Sequence, residues 1–156
     1  MTLVLGVDPG LSGAICRYEA GSIPTIYDMP TLALTRGGKN KREIDAHKLV
    51  DMLRYADHAF VEYAGAMPGQ GVSAVFAFGK TYGIILGILA AVDVPYTVVA
   101  PRKWKTALQV PAEKDGARAR ASQLMPSAAH LWPRVKDDGK AEAALISLYG
   151  WQTLAK

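Results

Sequence analysis

Four acids stand where chemistry could be done: Asp8, Glu62, Asp138 and Glu142. Asp8 closes the apolar run Leu3 to Val7, and Glu62 closes Ala59 to Val61. Both therefore sit at the C-terminal ends of expected strands, the sheet edge where α/β proteins hold ligands. Asp138 and Glu142 open the last expected helix and, four residues apart, share one of its faces. Four carboxylates gathered in one place repel unless cations join them. Magnesium, with manganese as the alternative, takes a few carboxylates together with water and phosphate oxygens. A pair of such ions activates an attacking water and stabilises the leaving oxygen of a phosphodiester. Lys140, between the last two acids, is a candidate for positioning the attacked phosphate or the water. Each acid also has a plainer reading as a turn residue or helix cap, Asp138 above all. Spacing alone does not bring the four side by side.

The charge pattern fits the same chemistry. The chain has 156 residues and a formal net charge of +4, in keeping with a polyanionic partner. Its cations come in groups. Arg36, Lys39, Lys41 and Arg42 share one polar segment, Arg102, Lys103 and Lys105 follow an expected strand, and Lys114, Arg118 and Arg120 form a third set. Such groups neutralise phosphates without reading sequence, while the plain reading of many is a solvated surface. The three histidines lack metal-ligand spacing. Trp104 lies among the basic residues and either caps the core or stacks on nucleic acid.

A single cysteine, Cys16, excludes an intramolecular disulfide and a cysteine zinc cluster. The opening Met1 to Asp8 has no basic lead-in, unlike a secretory signal, and no transit peptide is evident. The most apolar stretch, Tyr82 to Val92, is too short to span a bilayer. The expectation is a soluble cytoplasmic protein without a membrane partner.

The elements that must position the acids follow from periodicity. Leu3 to Asp8 reads as a buried strand, and Ala14 to Tyr18 and Thr25 to Tyr27 complete an antiparallel meander. Residues 29–43 read as a basic loop, and Arg36 to Arg42 within it as the expected mobile phosphate clamp. Asp45 caps a helix to about Tyr55. Ala59 to Val61 is a strand, Val72 to Ala91 a long helix, and Val94 to Val99 a further strand. Helices follow near Arg102 to Leu108, Glu113 to Leu124 and Gly139 to Trp151. The order implies one α/β domain over 1–156, with a mixed sheet flanked by helices. Gly79, Gly83 and Gly87 recur every fourth residue on the long helix. Each costs roughly 1 kcal/mol relative to alanine, so close approach of another backbone is expected there.

Several blocks resemble one family in the same order. Gly6-Val7-Asp8-Pro9-Gly10-Leu11-Ser12-Gly13-Ala14 resembles the opening of RuvC-type Holliday junction resolvases. Phe60-Val61-Glu62, Gly71 to Gly79 with Gly83 and Gly87, Val99 to Lys105 and Asp138 to Ala143 resemble their later blocks. The wording is nearer to the phage and chloroplast-type branch. The resemblance implies an RNase H-like fold with a mixed five-stranded sheet, a homodimer, Mg²⁺ or Mn²⁺, and symmetric nicking of four-way DNA junctions. It maps the family's acids onto Asp8, Glu62, Asp138 and Glu142, and tips the glycine stripe towards a two-fold dimer contact. Two departures stand out. The main bacterial branch spaces its last two acids by three, which keeps Asp137 in play as a substitute for Asp138. The bulky residues nearest the family's base-intruding aromatic are Tyr63 and Met67. Competing readings are another RNase H-like nuclease acting on hybrid or branched substrates, a non-catalytic junction-binding protein, and an actin-like phosphotransferase. The last needs two lobes, and this length provides one.

Overall fold

β1 (Val4–Asp8) has no polar side chain before its last residue, and Val4, Leu5 and Val7 are fully buried. A strand apolar on both sides must be covered on both sides, and the computed structural model, which describes residues 1–156, shows how. β1 lies at the centre of a five-stranded sheet. It pairs antiparallel with β2 (Ala14–Tyr18), which pairs antiparallel with β3 (Thr25–Asp28). On its other side it pairs parallel with β6 (His58–Glu62), which pairs parallel with β7 (Tyr96–Val99). The sheet order is β3-β2-β1-β6-β7, the mixed sheet expected from the sequence.

Residues 29–43, expected as a loop, instead carry most of a second, two-stranded sheet: β4 (Thr31–Arg36) and β5 (Lys39–Ile44). Gly37 and Gly38 join them with φ of 58° and 72°. A two-residue turn whose φ angles are both positive matches the twist of paired strands, and glycine adopts it without strain. The Gly-Gly pair is thus the signal that a loop reading passes over.

α1 (Ala46–Leu53) starts at Asp45, whose Oδ1 accepts the Lys48 N–H at 3.1 Å, and buries Leu49 and Leu53. α2 (Val72–Ala91) packs beside α1 through Thr81, Ile85 and Leu89. Both rest on the side of the sheet that presents Leu5, Val7, Ala59 and Val61. α3 (Pro101–Ala107), α4 (Gly116–Leu124), two 3₁₀ turns (Pro126–Leu131 and Val135–Asp137) and α5 (Asp138–Leu154) complete the chain. α5 covers the other side, over Val4, Ala14, Cys16 and Phe60.

The fit of α5 is close. A Cβ on Gly6 would lie 2.1 Å from the Ala143 carbonyl oxygen, and one on Gly150 would lie 2.3 Å from the Phe60 ring. The glycine stripe of α2 behaves otherwise: Cβ atoms at Gly79, Gly83 and Gly87 would meet nothing within 4 Å. No backbone of this chain approaches it. α2 as a whole is 20 residues long with mean hydropathy 1.7, long and apolar enough to cross a membrane by length and composition. That corrects the shorter stretch measured from the sequence. In the fold one side of the helix is held against the domain core.

Candidate metal centre

Strand parity decides which way the acids face. Successive side chains alternate across a sheet. Val4 of β1 and Phe60 of β6 point to the α5 side, so Asp8 and Glu62, each an even step further on, share that side. The parallel register pairs Val7 with Val61 and ends both strands together. Glu142, in the second turn of α5, comes down onto them. One carboxylate oxygen from each of Asp8, Glu62 and Glu142 lies within 4.8 Å of the others, and all three side chains are partly buried.

The electrostatics follow. Asp8 is pushed up from 3.8 to about 7, chiefly by burial, then by the charges of Glu142 and Glu62. Lys105 and a backbone hydrogen bond from Gly10 oppose the rise. Glu62 is also raised, again chiefly by burial, against a hydrogen bond from Trp104. Carboxylates destabilised in this way are relieved by a cation. Three hard oxygen donors, two of them straining to keep their charge, fit magnesium or manganese better than a soft-metal set would.

Two of the candidates stand apart from this group. Asp138 leans to Arg118, whose Nε donates to Asp138 Oδ1 at 2.6 Å, and Arg118 also pairs with Asp115. Lys140 directs its ammonium to Asp28 and Asp137, 3.8 Å from each, instead of to the triad. Asp137 is buried and gripped by Arg134 through Nε, Nη2 and the backbone N–H at 2.9–3.0 Å, which holds it down at about 2. Its carboxylate thereby closes the 3₁₀ turn Val135–Asp137 that leads into α5.

The position three before Glu142, where the main bacterial pattern places its other acid, is Gly139. A Cβ there would sit 3.2 Å from Asp8 Oδ2 and 2.8 Å from the Ser12 carbonyl oxygen. Any side chain would collide with the turn after β1. Of the four acids named from the sequence, the fold brings Asp8, Glu62 and Glu142 together and turns Asp138 to Arg118.

The cations divide similarly. Lys105 Nζ is 3.6 Å from Glu142 Oε1. Arg102, Lys105 and Lys114 line one groove together with Glu142, and Lys103 is exposed on the same helix as Lys105. On the hairpin, Lys39 and Lys41 are exposed, whereas Arg36 and Lys80 both pair with Glu43. Arg42 donates to the Leu11 carbonyl at 2.9 Å and to Thr31 Oγ1 at 3.4 Å. Arg118 and Arg42 thus both have partners within the chain, Arg42 at the exposed surface. Of the two readings for Trp104, the core one holds and the outward stack does not. It is fully buried, and its indole N–H donates to Glu62 Oε2 at 2.7 Å. The sequence signal for that role was a tryptophan one turn into the helix that follows β7.

This five-stranded mixed sheet with helices on both sides is a fold shared with solved structures of known proteins. Solved structures of that fold align with the chain almost end to end. Thermus thermophilus RuvC in complex with a Holliday junction substrate superposes with a TM-score of 0.62 at 14% identity, covering 99% of this chain and 96% of that one. The yeast mitochondrial Holliday junction resolvase Ydc2 gives 0.56 at 14% identity, covering 96% and 77%. The fowlpox virus Holliday junction resolvase gives 0.53 at 17%, covering 98% and 99%. No family model and no curated protein matches the sequence.

Proposed function

We propose that this chain is a divalent-metal-dependent endonuclease that resolves four-way DNA junctions by paired nicks, acting as a homodimer. The observation that carries this reading is the convergence of Asp8, Glu62 and Glu142 at one sheet edge, beside a groove lined by Arg102, Lys105 and Lys114. The fold shared with three junction resolvases supports it.

Asp8, Glu62 and Glu142 would hold the metal. Bound there, divalent cations supply Lewis acidity towards a phosphodiester and its attacking water. The chain's own residues do the rest. The triad sets the place of cleavage, because strand ends fix Asp8 and Glu62 while α5 fixes Glu142. Near neutral pH Asp8 gives up its proton readily, since its carboxyl sits at about 7. Lys105, within 3.6 Å of Glu142, holds a positive charge where a phosphate oxygen would arrive. Arg102, Lys103 and Lys114 continue that charge along the groove, and Lys39 and Lys41 offer it from the hairpin. None of these contacts reads a base.

The outer face of α2 supports the dimer. Val72 and Phe76 are exposed there, next to a glycine stripe with open space before it. A large apolar face rarely stays bare in a stable protein, and small residues let a twin helix come close. A two-fold axis would present two identical triads to two strands of a near-symmetric junction.

The deciding experiment is nicking of a synthetic four-way junction in Mg²⁺, Mn²⁺ or chelator, with duplex, flap and RNA–DNA hybrid substrates alongside. Cation-dependent paired nicks confined to the junction are expected. Asp8→Asn should lose at least roughly 100-fold in rate and still bind the junction. Preferential cutting of the hybrid, or undiminished cutting by Asp8→Asn, defeats the assignment.

A further inference from the structure

Pro101 opens α3 two residues beyond Val99, which pairs across the sheet with Glu62. Proline at the first helical position fixes the angle at which the helix leaves the strand. One turn later Trp104 arrives above Glu62 and Lys105 arrives beside Glu142. Consecutive helical residues point about 100° apart, so a single short helix reaches two acids that come from different elements. Trp104 is fully buried, and its N–H finds its hydrogen bond on Glu62 Oε2 at 2.7 Å. That bond spans 42 residues of sequence. Were Glu62 to swing away, the indole N–H would be stranded without water or another acceptor, so the core itself resists the swing.

We propose that Trp104 is a positioning residue for the candidate metal centre, fixing the Glu62 carboxylate in its ligating orientation before any cation arrives. This rests on the reading that the triad takes a divalent cation. Mutual repulsion drives three neighbouring carboxylates apart, and α3 restrains two of them: Glu62 by the Trp104 hydrogen bond, Glu142 by the Lys105 ion pair. The indole uses one lone pair of Oε2, and the remaining lone pairs of the Glu62 carboxylate stay available. Donors that orient a ligating side chain typically change metal affinity by about 10- to 100-fold when removed.

The test measures Mn²⁺ binding from the loss of the free-ion paramagnetic resonance signal, comparing wild type with Trp104→Phe. Phenylalanine keeps an aromatic ring in the core and removes the donor. Affinity is expected to fall at least roughly 10-fold, with far-ultraviolet circular dichroism unchanged. A second readout needs no variant to bind metal. The wild-type chain is labelled with 5-fluorotryptophan, and its ¹⁹F resonances are followed during Mg²⁺ titration. The Trp104 resonance is expected to shift while those of Trp132 and Trp151 stay in place.

Equal Mn²⁺ affinities in the two proteins overturn the positioning role. So does a Trp104 resonance that ignores Mg²⁺ although Mn²⁺ binds. If wild type removes no free Mn²⁺, the metal reading itself fails, and the inference falls with it for a separate and visible reason. If Trp104→Phe does not fold, the fluorine titration decides alone.

Discussion

α5 and α2 are the two longest helices, and they cover opposite sides of one sheet in opposite ways. α5 buries eight of its 17 residues; α2, the more apolar of the two, buries three of 20. On α5 the small residues mark contact: Ala143 and Ser147 meet Gly6, Gly150 meets Phe60, and Gly139 meets Asp8. On α2 the small residues mark vacancy. The same residue type therefore signals close packing in one helix and an unfilled face in the other. Only the structure separates the two cases. The acidic cluster lies wholly on the α5 side, where tight packing fixes the carboxylates. The α2 side carries no acid of the triad.

The sharpest way to break this contrast is to add a methyl group on each side. Gly6→Ala places a carbon 2.1 Å from the Ala143 carbonyl oxygen, so α5 must lift from β1. A loss of about 4 kcal/mol or more, or failure to fold, is expected in denaturant unfolding. A variant as stable as wild type would show that α5 is not seated as described.

The carboxylates on the α5 side should also make stability depend on pH. Asp8 is raised from 3.8 to about 7, so the folded state binds more protons than the unfolded state between those values. Stability of the metal-free protein should be greatest below about pH 4 as far as this group is concerned, and should fall as pH rises through about 7. The loss is at most about 4 kcal/mol for three pH units. Asp8→Asn should flatten that slope and stabilise the metal-free protein at pH 8, as thermal unfolding in chelator will report.

Gly83→Ala makes the opposite point on α2. With open space ahead of the Cβ, helix propensity alone should stabilise the monomer by roughly 1 kcal/mol. Sedimentation equilibrium should show weaker self-association if a twin helix needs that space. Smallest in its effect on folding is Phe76→Ser. Phe76 is 74% exposed, so the monomer's unfolding free energy should change within about 0.5 kcal/mol while the proposed self-association is lost. Undiminished self-association would move the proposed contact away from α2.

Much of the fold was legible because periodicity is local. The bounds of β2 and α2 follow from apolar runs and turn residues, and Asp45 caps α1 as its type implies. The hairpin was missed because its outward residues are charged, which hides the two-residue alternation, and its Gly-Gly turn was read as loop. At the site, Asp8 and Glu62 were legible from strand ends, since parity and parallel pairing bring them together. Asp138 and Lys140 were placed by neighbourhood in sequence. Their directions are set by Arg118, 20 residues away, and by Asp28 on another element. Trp104 was visible as a residue but its partner was not, because no local rule joins positions 42 apart. Gly139 was passed over because the absence of a side chain advertises nothing until the turn at Ser12 lies against it.

The hairpin is not a loose tether. Arg42 grips the carbonyl of Leu11, three residues past Asp8, so the basic arm and the loop beneath the carboxylates share a mechanical joint. Under the proposed function, a polyanion drawn to Lys39 and Lys41 would pull on that loop as well. Capture of a strand and alignment of the carboxylates would then be linked through this joint, which the Met29 N–H reinforces by donating to the Gly13 carbonyl at 3.0 Å.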